Sequence, residues 1–119
     1  HLPKVRADPR LIEQVLLNVI TNAAEAMKNM EEERIIEITS SLEDEGILVR
    51  ISDSGPGVNA HLREKIFDPF FTTKSGSTGI GLSLSHRIIN DHGGTLEVAE
   101  SRWQGAEFRI KIPFEKGSC

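Results

Sequence analysis

The stretch AEFRIKIPF, residues 106–114, constrains the fold most, because Phe108, Ile110 and Ile112 alternate with Glu107, Arg109 and Lys111. Successive strand side chains point to opposite faces, so this pattern is a half-buried antiparallel strand with one apolar and one wetted face. A sheet built around such a strand needs cover on one side only. Between Asp8 and Met30, Leu11, Ile12, Val15, Leu16, Val19, Ala23 and Met27 recur at three- and four-residue intervals, as one face of a helix requires. Asp8 is placed to cap this helix, with Pro9 at its first position. Leu82, Leu84, Ile88 and Ile89 line a second helix that stops at Gly93 and Gly94. RIIEITSSL and GILVRISDS read as β-branched strands of a hairpin joined through EDEG, GTLEVAES as a further strand, and the segment from His61 to Ile66 as a short helix. The expected fold class is α/β (α+β), a two-layer sandwich whose mixed, mainly antiparallel sheet is covered on one face by helices.

At 119 residues the chain is the size of one ordinary domain. Fourteen Lys and Arg stand against 18 Asp and Glu, for a net charge of −4, and no basic cluster is interleaved with aromatics, which argues against nucleic acid as a partner. No apolar run approaches the length of a membrane span and HLPKVRADPR is too polar for a signal peptide, so a soluble chain without membrane contact is expected. The single Cys119 cannot form an internal disulfide, which suits a reducing cytoplasm. The four histidines, His1, His61, His86 and His92, include no pair spaced to hold zinc on one helical face.

Residues 72–85, TTKSGSTGIGLSLS, carry glycines in the order G-x-x-G-x-G at 76, 79 and 81. The dinucleotide fingerprint runs G-x-G-x-x-G directly after a strand, and a Walker loop ends in Lys followed by Ser or Thr. Here Lys74 precedes the glycines and Leu82 follows them, so neither common phosphate loop fits.

Four polar constellations admit a plain and a functional reading each. Asn18 and Asn22 share a helix face in NVITNAAEA; they are either exposed amides or oxygen donors beside the small residues Ala23, Ala24 and Ala26. In DSGPG, Asp53 ends a buried-looking strand; it either caps a turn or accepts a hydrogen bond from the exocyclic amine of adenine, with Gly55 and Gly57 admitting the ring. Phe67, Phe70 and Phe71 in FDPFFTTK, three of the chain's five phenylalanines, are core or site rings, and Lys74 is a surface charge or a phosphate contact. Gly79 and Gly81 precede a helix whose first amides form an anion site, unless they merely loosen a loop.

Taken together and in this order, NVITNAAEA, DSGPG, FDPFF and GSTGIGLS resemble the N, G1, F and G2 boxes of the histidine kinase catalytic and ATP-binding domain. The wider family is the Bergerat-fold ATPases, which includes gyrase B, MutL and the Hsp-type chaperones. FFTTK followed by S-x-x-G-I-G-L-S looks most like the nitrogen-regulation and dicarboxylate-sensing kinases. The resemblance covers nearly the whole chain and implies a Bergerat ATP-binding fold over residues 1–119, with the dimerisation and phospho-acceptor helices absent, as in an excised catalytic module.

It also implies ATP and Mg²⁺ as ligands, with the glycines in a mobile ATP lid between two helices. Asn22 is then the metal ligand, Asp53 the adenine-reading carboxylate, and Asn18 and Lys74 the catalytic pair. The further nucleotide contacts implied are Ala26, Gly55, Gly57, Val58, Phe70, Thr72, Thr78, Gly79, Ile80, Gly81 and Leu82. The implied partners are the protein's own dimerisation and histidine phosphotransfer domain and, indirectly, a response regulator, with the isolated domain a monomer. No histidine here sits in an H-E-x-x-N-P-like context, so none is expected to be the phospho-acceptor. Asn18 separates a kinase from the hydrolytic relatives and the anti-sigma-type serine kinases, which resemble one another in carrying an acid there; an amide cannot abstract a proton. Two positions depart from the family pattern. Ser54 stands in D-S-G where D-N-G is frequent, and Ala106 follows Gly105 where a supporting Thr is common.

Overall fold

Alternation in the last strand does what it predicts. The computed structural model describes residues 7–68 and 80–114, with Ile80 described by its backbone alone. Strands β1 (Ile36–Leu42), β2 (Gly46–Asp53), β3 (Thr95–Glu100) and β4 (Ala106–Pro113) form one sheet in the order β1-β2-β4-β3, antiparallel at every pairing. Phe108 lies opposite Ile51 on one side and Val98 on the other, and Ile110 opposite Val49 and Leu96, so these side chains share one face. Phe108, Ile51 and Ile110 are fully buried there. The opposite face carries Glu37, Thr39, Arg50, Ser52, Glu97, Glu107, Arg109 and Lys111.

Helix α1 (Pro9–Ala26) buries Val15, Val19 and Ala23 against the apolar face, and the Asp8 side chain accepts a hydrogen bond from the Arg10 amide as its cap. It ends at Ala26, just before the polar run KNMEEER that begins at Lys28. Met27 caps the helix with its N–H on the Ala24 carbonyl, and Met30 belongs to a tight turn that follows. The run Glu31, Glu32 and Glu33 supplies a reason, since negative charge beyond the last turn opposes the helix dipole.

Helix α2 (Ile80–Asp91) buries Ser85, Ile88 and Ile89 and packs beside α1 over the β3 side of the sheet. It ends where the glycine pair predicts, with the Gly94 amide on the Ile89 carbonyl at 3.0 Å. The two helices are also tied end to end. His92 places Nδ1 2.8 Å from the Ile88 carbonyl while its Nε2 accepts the Asp8 amide at 3.1 Å, which makes Nδ1 the protonated nitrogen.

Between Asp53 and Asp68 the expected short helix is two 3₁₀ turns, Ala60–Leu62 and Lys65–Phe67. Ile66 from the second turn is buried in the core. Phe67 stacks on His86 with ring centres 5.0 Å apart and meets Phe108 edge-on at 6.4 Å. Its ring thereby fixes the segment leading away from β2 to both helix α2 and the sheet.

Candidate nucleotide site

Asp53 ends β2 on the helix-facing side of the sheet and is 2 % exposed. A buried carboxylate needs hydrogen bonds, and the backbone supplies them. Its Oδ1 accepts from the Gly55 amide at 2.9 Å and from the Ala106 amide at 3.1 Å. The second bond bears directly on Ala106 standing where the family pattern carries Thr: the main-chain N–H at this position reaches the carboxylate without any side-chain hydroxyl.

That contact depends on two glycines. A Cβ on Gly105 would lie 2.2 Å from the Asp53 carbonyl oxygen and 2.6 Å from Oδ1, closer than any side chain allows. Gly57 adopts φ +78°, and a Cβ there would stand 2.9 Å from the Gln104 carbonyl oxygen. The D-S-G-P-G loop and the turn between β3 and β4 are therefore pressed together backbone to backbone. Ser54, where Asn is frequent in the family, faces away from this contact; its hydroxyl accepts the Ile35 amide at 2.9 Å and reaches the Glu33 carbonyl at 3.2 Å.

Along α1, Asn18, Asn22 and Ala26 are spaced four apart and form one stripe. At one end of it, the Asn18 side-chain NH₂ group donates to Ser85 Oγ at 3.2 Å and, at 3.4 Å, to the Gly81 carbonyl in the first turn of α2. At the other end Ala26 Cβ lies 3.7 Å from where a Gly55 Cβ would be, with Met27 Cγ at 3.1 Å. Asn22, midway, is half-buried. Eight residues of helix rise by about 12 Å, so the stripe connects the Asp53 corner to the start of α2 across that span.

The structure thus brings together Asn18, Asn22, Ala26, Asp53, Gly55, Gly57 and Gly81. Val58 and Leu82 are half-buried against the core that underlies them, and Ile80 opens α2. Phe70, Thr72, Lys74, Thr78 and Gly79, and with them the expected mobile lid, lie outside the described residues. Two participants carried no local signal in the sequence: Ser85, whose hydroxyl is fully buried under Asn18, and Ser101, whose Oγ donates to the Asp53 carbonyl at 2.7 Å. A separate groove of about 440 Å³ lies between the β1–β2 turn and Gly93–Gly94, at the opposite end of β2 from Asp53, and contains none of the candidate residues.

Residues 7–116 match the family model described as histidine kinase-, DNA gyrase B-, and HSP90-like ATPase. The chain belongs to this ATP-binding family. Within it, the similarity is to sensor histidine kinases. The sensor histidine kinase ZraS of Escherichia coli O157:H7 is 41% identical over 112 residues, covering 94% of this chain and 24% of ZraS. The C4-dicarboxylate transport sensor protein DctB of Rhizobium meliloti (strain 1021) is 40% identical over 101 residues, 85% of this chain and 16% of DctB. The chain spans about a quarter or less of the length of these two relatives.

Among solved structures, the catalytic domain of histidine kinase ThkA superposes with a TM-score of 0.79 at 43% identity, covering 92% of this chain and 71% of that one. ThkA has also been solved in complex with a response regulator protein, TrrA; that match has a TM-score of 0.77 and 40% identity, and covers 93% of this chain and 30% of that one. The chain is accordingly a histidine-kinase-type ATP-binding domain with the Bergerat fold. No helix among the described residues is long and apolar enough to cross a membrane.

Proposed function

We propose that this chain binds Mg-ATP and transfers the γ-phosphoryl group to a histidine on a dimerisation domain of the longer protein it belongs to, on the cytoplasmic side, with a response regulator as the onward recipient. The observation that carries this reading is the Asn18–Asn22–Ala26 stripe, which links the backbone-clasped Asp53 carboxylate to the first turn of α2. Base and triphosphate then take opposite ends of one groove. The likeness to sensor kinases, one of them solved with a response regulator, supports the choice of partners.

At the Asp53 end the carboxylate accepts from the exocyclic amine of adenine, where guanine presents a carbonyl and is repelled. Gly55, Gly57 and Val58 lie beside the ring. At the α2 end, the first amides of the helix, at the positive pole of its dipole, receive the phosphates, and Phe70, Thr72, Lys74, Thr78 and Gly79 complete the contacts.

Asn22 would hold the metal. Among the described residues there is no cluster of three or more His, Cys, Asp or Glu that would cage an ion, and a neutral amide oxygen suits a Mg²⁺ that keeps phosphate and water ligands. When bound, the ion neutralises phosphate charge. In the transfer, an imidazole nitrogen of the acceptor forms the N–P bond as the bond from the γ-phosphorus to the β,γ-bridging oxygen breaks. ADP carries away the electron pair, and the imidazole proton passes to water. Positioning and charge neutralisation supply the catalysis, and Asn18 orients without acting as a base.

Incubation with γ-labelled ATP, alone and with the parent's dimerisation domain, tests this. The chain alone is expected to remain unlabelled with slow ADP release, because its amide at position 18 activates water poorly. Added acceptor should gain acid-labile, base-stable label, slowly because the covalent connection that raises effective concentration is missing. Acid-stable label on serine or threonine would instead identify a serine kinase, and rapid ADP release without labelled protein an ATPase.

A further inference from the structure

We propose that Ser101 is the positioning residue for base selection, holding the Asp53 carboxylate in the one orientation that reads an exocyclic amine; this rests on the assignment of Asp53 as the adenine acceptor. Ser101 lies in the turn between β3 and β4 and is 5 % exposed. A hydroxyl offers one donor and two acceptor sites, and here all three are used. Oγ donates to the Asp53 carbonyl at 2.7 Å and accepts the Gly105 amide at 3.0 Å and the Trp103 amide at 3.3 Å. The main chain of the same residue closes the turn, its N–H on the Gly105 carbonyl at 2.9 Å and its own carbonyl receiving the Gln104 amide at 3.0 Å. One buried oxygen therefore joins the end of β2 to the start of β4.

The consequence falls on the carboxylate. Gly105 and Ala106 follow directly from this turn, and the Ala106 amide is one of two described donors to Asp53, the Gly55 amide being the other. Both meet Oδ1. Filling that oxygen's lone pairs with fixed amides turns Oδ2 toward the base as the remaining acceptor. Without a side-chain hydroxyl at position 106, the aim of the carboxylate depends on where the Ala106 amide sits, and Ser101 decides that position. The turn is itself strained, with Gln104 in the left-handed region at φ 66°, so it needs these hydrogen bonds to persist.

The test measures Mg²⁺-dependent binding of ATP and of purine-riboside triphosphate, which has the same ring without the amine. Wild-type chain, Ser101→Ala and the nearly isosteric Ser101→Cys are compared, with thermal melts establishing that each is folded. Wild type should prefer ATP. Both variants should lose about tenfold in ATP affinity, the scale of one buried hydrogen bond to a charged group, and change by less than about threefold toward the amine-free analogue. Preference retained in a folded variant, or equal losses for both ligands, would overturn the proposal; the second result describes a merely structural serine. If Ser101→Ala does not fold, the Ser101→Cys ratio decides. A wild-type chain that binds both ligands equally, or an Asp53→Asn chain that keeps the wild-type preference, would overturn the Asp53 assignment itself and this inference with it.

Discussion

The two ends of the candidate groove are built from different materials. Around Asp53 the partners are backbone amides of Gly55 and Ala106, held by close chain-to-chain approach at Gly57 and Gly105. Around Asn18 they are side chain and helix, namely Ser85 Oγ and the Gly81 carbonyl. A cradle of main-chain groups has no rotamers to lose, so it suits recognition of a flat, invariant base. A side-chain amide on one helix that bonds a hydroxyl and a carbonyl on another can shift as the two helices move. That suits a phosphate end where groups arrive and leave.

The contrast can be broken most severely at Gly105. Gly105→Ala drives a methyl group into the Asp53 carbonyl and carboxylate, and should destabilise the fold by about 3 kcal/mol while abolishing detectable nucleotide binding. Denaturant unfolding beside calorimetry measures both. A variant of wild-type stability with intact ATP affinity would show that the backbone cradle yields easily.

Asp53→Asn keeps the shape and offers an NH₂ group to the base. It should weaken ATP binding by about 1 to 3 kcal/mol and erase the advantage of ATP over GTP, because an amide can donate to the guanine carbonyl. Competition binding with the two nucleotides reads this; unchanged selectivity would remove Asp53 from base recognition.

Asn18→Ala tests the softer end. The loss of its bonds to Ser85 and Gly81 should cost about 1 kcal/mol of stability. Nucleotide binding should persist while phosphoryl transfer to the acceptor domain falls steeply. Equal falls in binding and transfer would mean that Asn18 only helps to hold the nucleotide.

The smallest effect belongs to the open face of the sheet, away from both ends. Burial pushes the Glu107 carboxyl upward, but hydrogen bonds from Arg109 at 2.6 Å and Ser52 at 3.0 Å, with the charges of Arg109 and Arg50, outweigh it and hold the group below the ordinary carboxylate range. A depressed folded-state pKa contributes stability above the unfolded value, near about 4.3, that is lost as pH falls through the folded one. Glu107→Gln should therefore be less stable than wild type at pH 7, and the gap should close in the acid range without altering ATP selectivity. Unfolding midpoints at several pH values follow it.

Much of this was legible because it is local. The three- and four-residue spacing in α1 and the alternation in β4 reflect periods of single elements, and DSGPG and NVITNAAEA announce polar groups in places where only a ligand or a tight turn makes sense of them. The end of α1 is less sharply written, because apolar spacing continues through Met27 while the helix stops at Ala26. Hydrophobic spacing marks what is buried, not where the helical hydrogen bonds cease.

By itself, then, the sequence determined the element order, the apolar faces, the single layer of helices and the identity of the candidate polar groups, since each is written within a window of a few residues. Tertiary structure alone decided their partners. Ser101 meets Asp53 across 48 positions, Ala106 meets it across 53 and Ser85 meets Asn18 across 67. No local pattern encodes such pairs, because they depend on the register of β2 against β4 and on how α2 lies along α1. A serine in a turn or an alanine after a glycine is ordinary until the fold places its hydroxyl or its amide against a buried carboxylate.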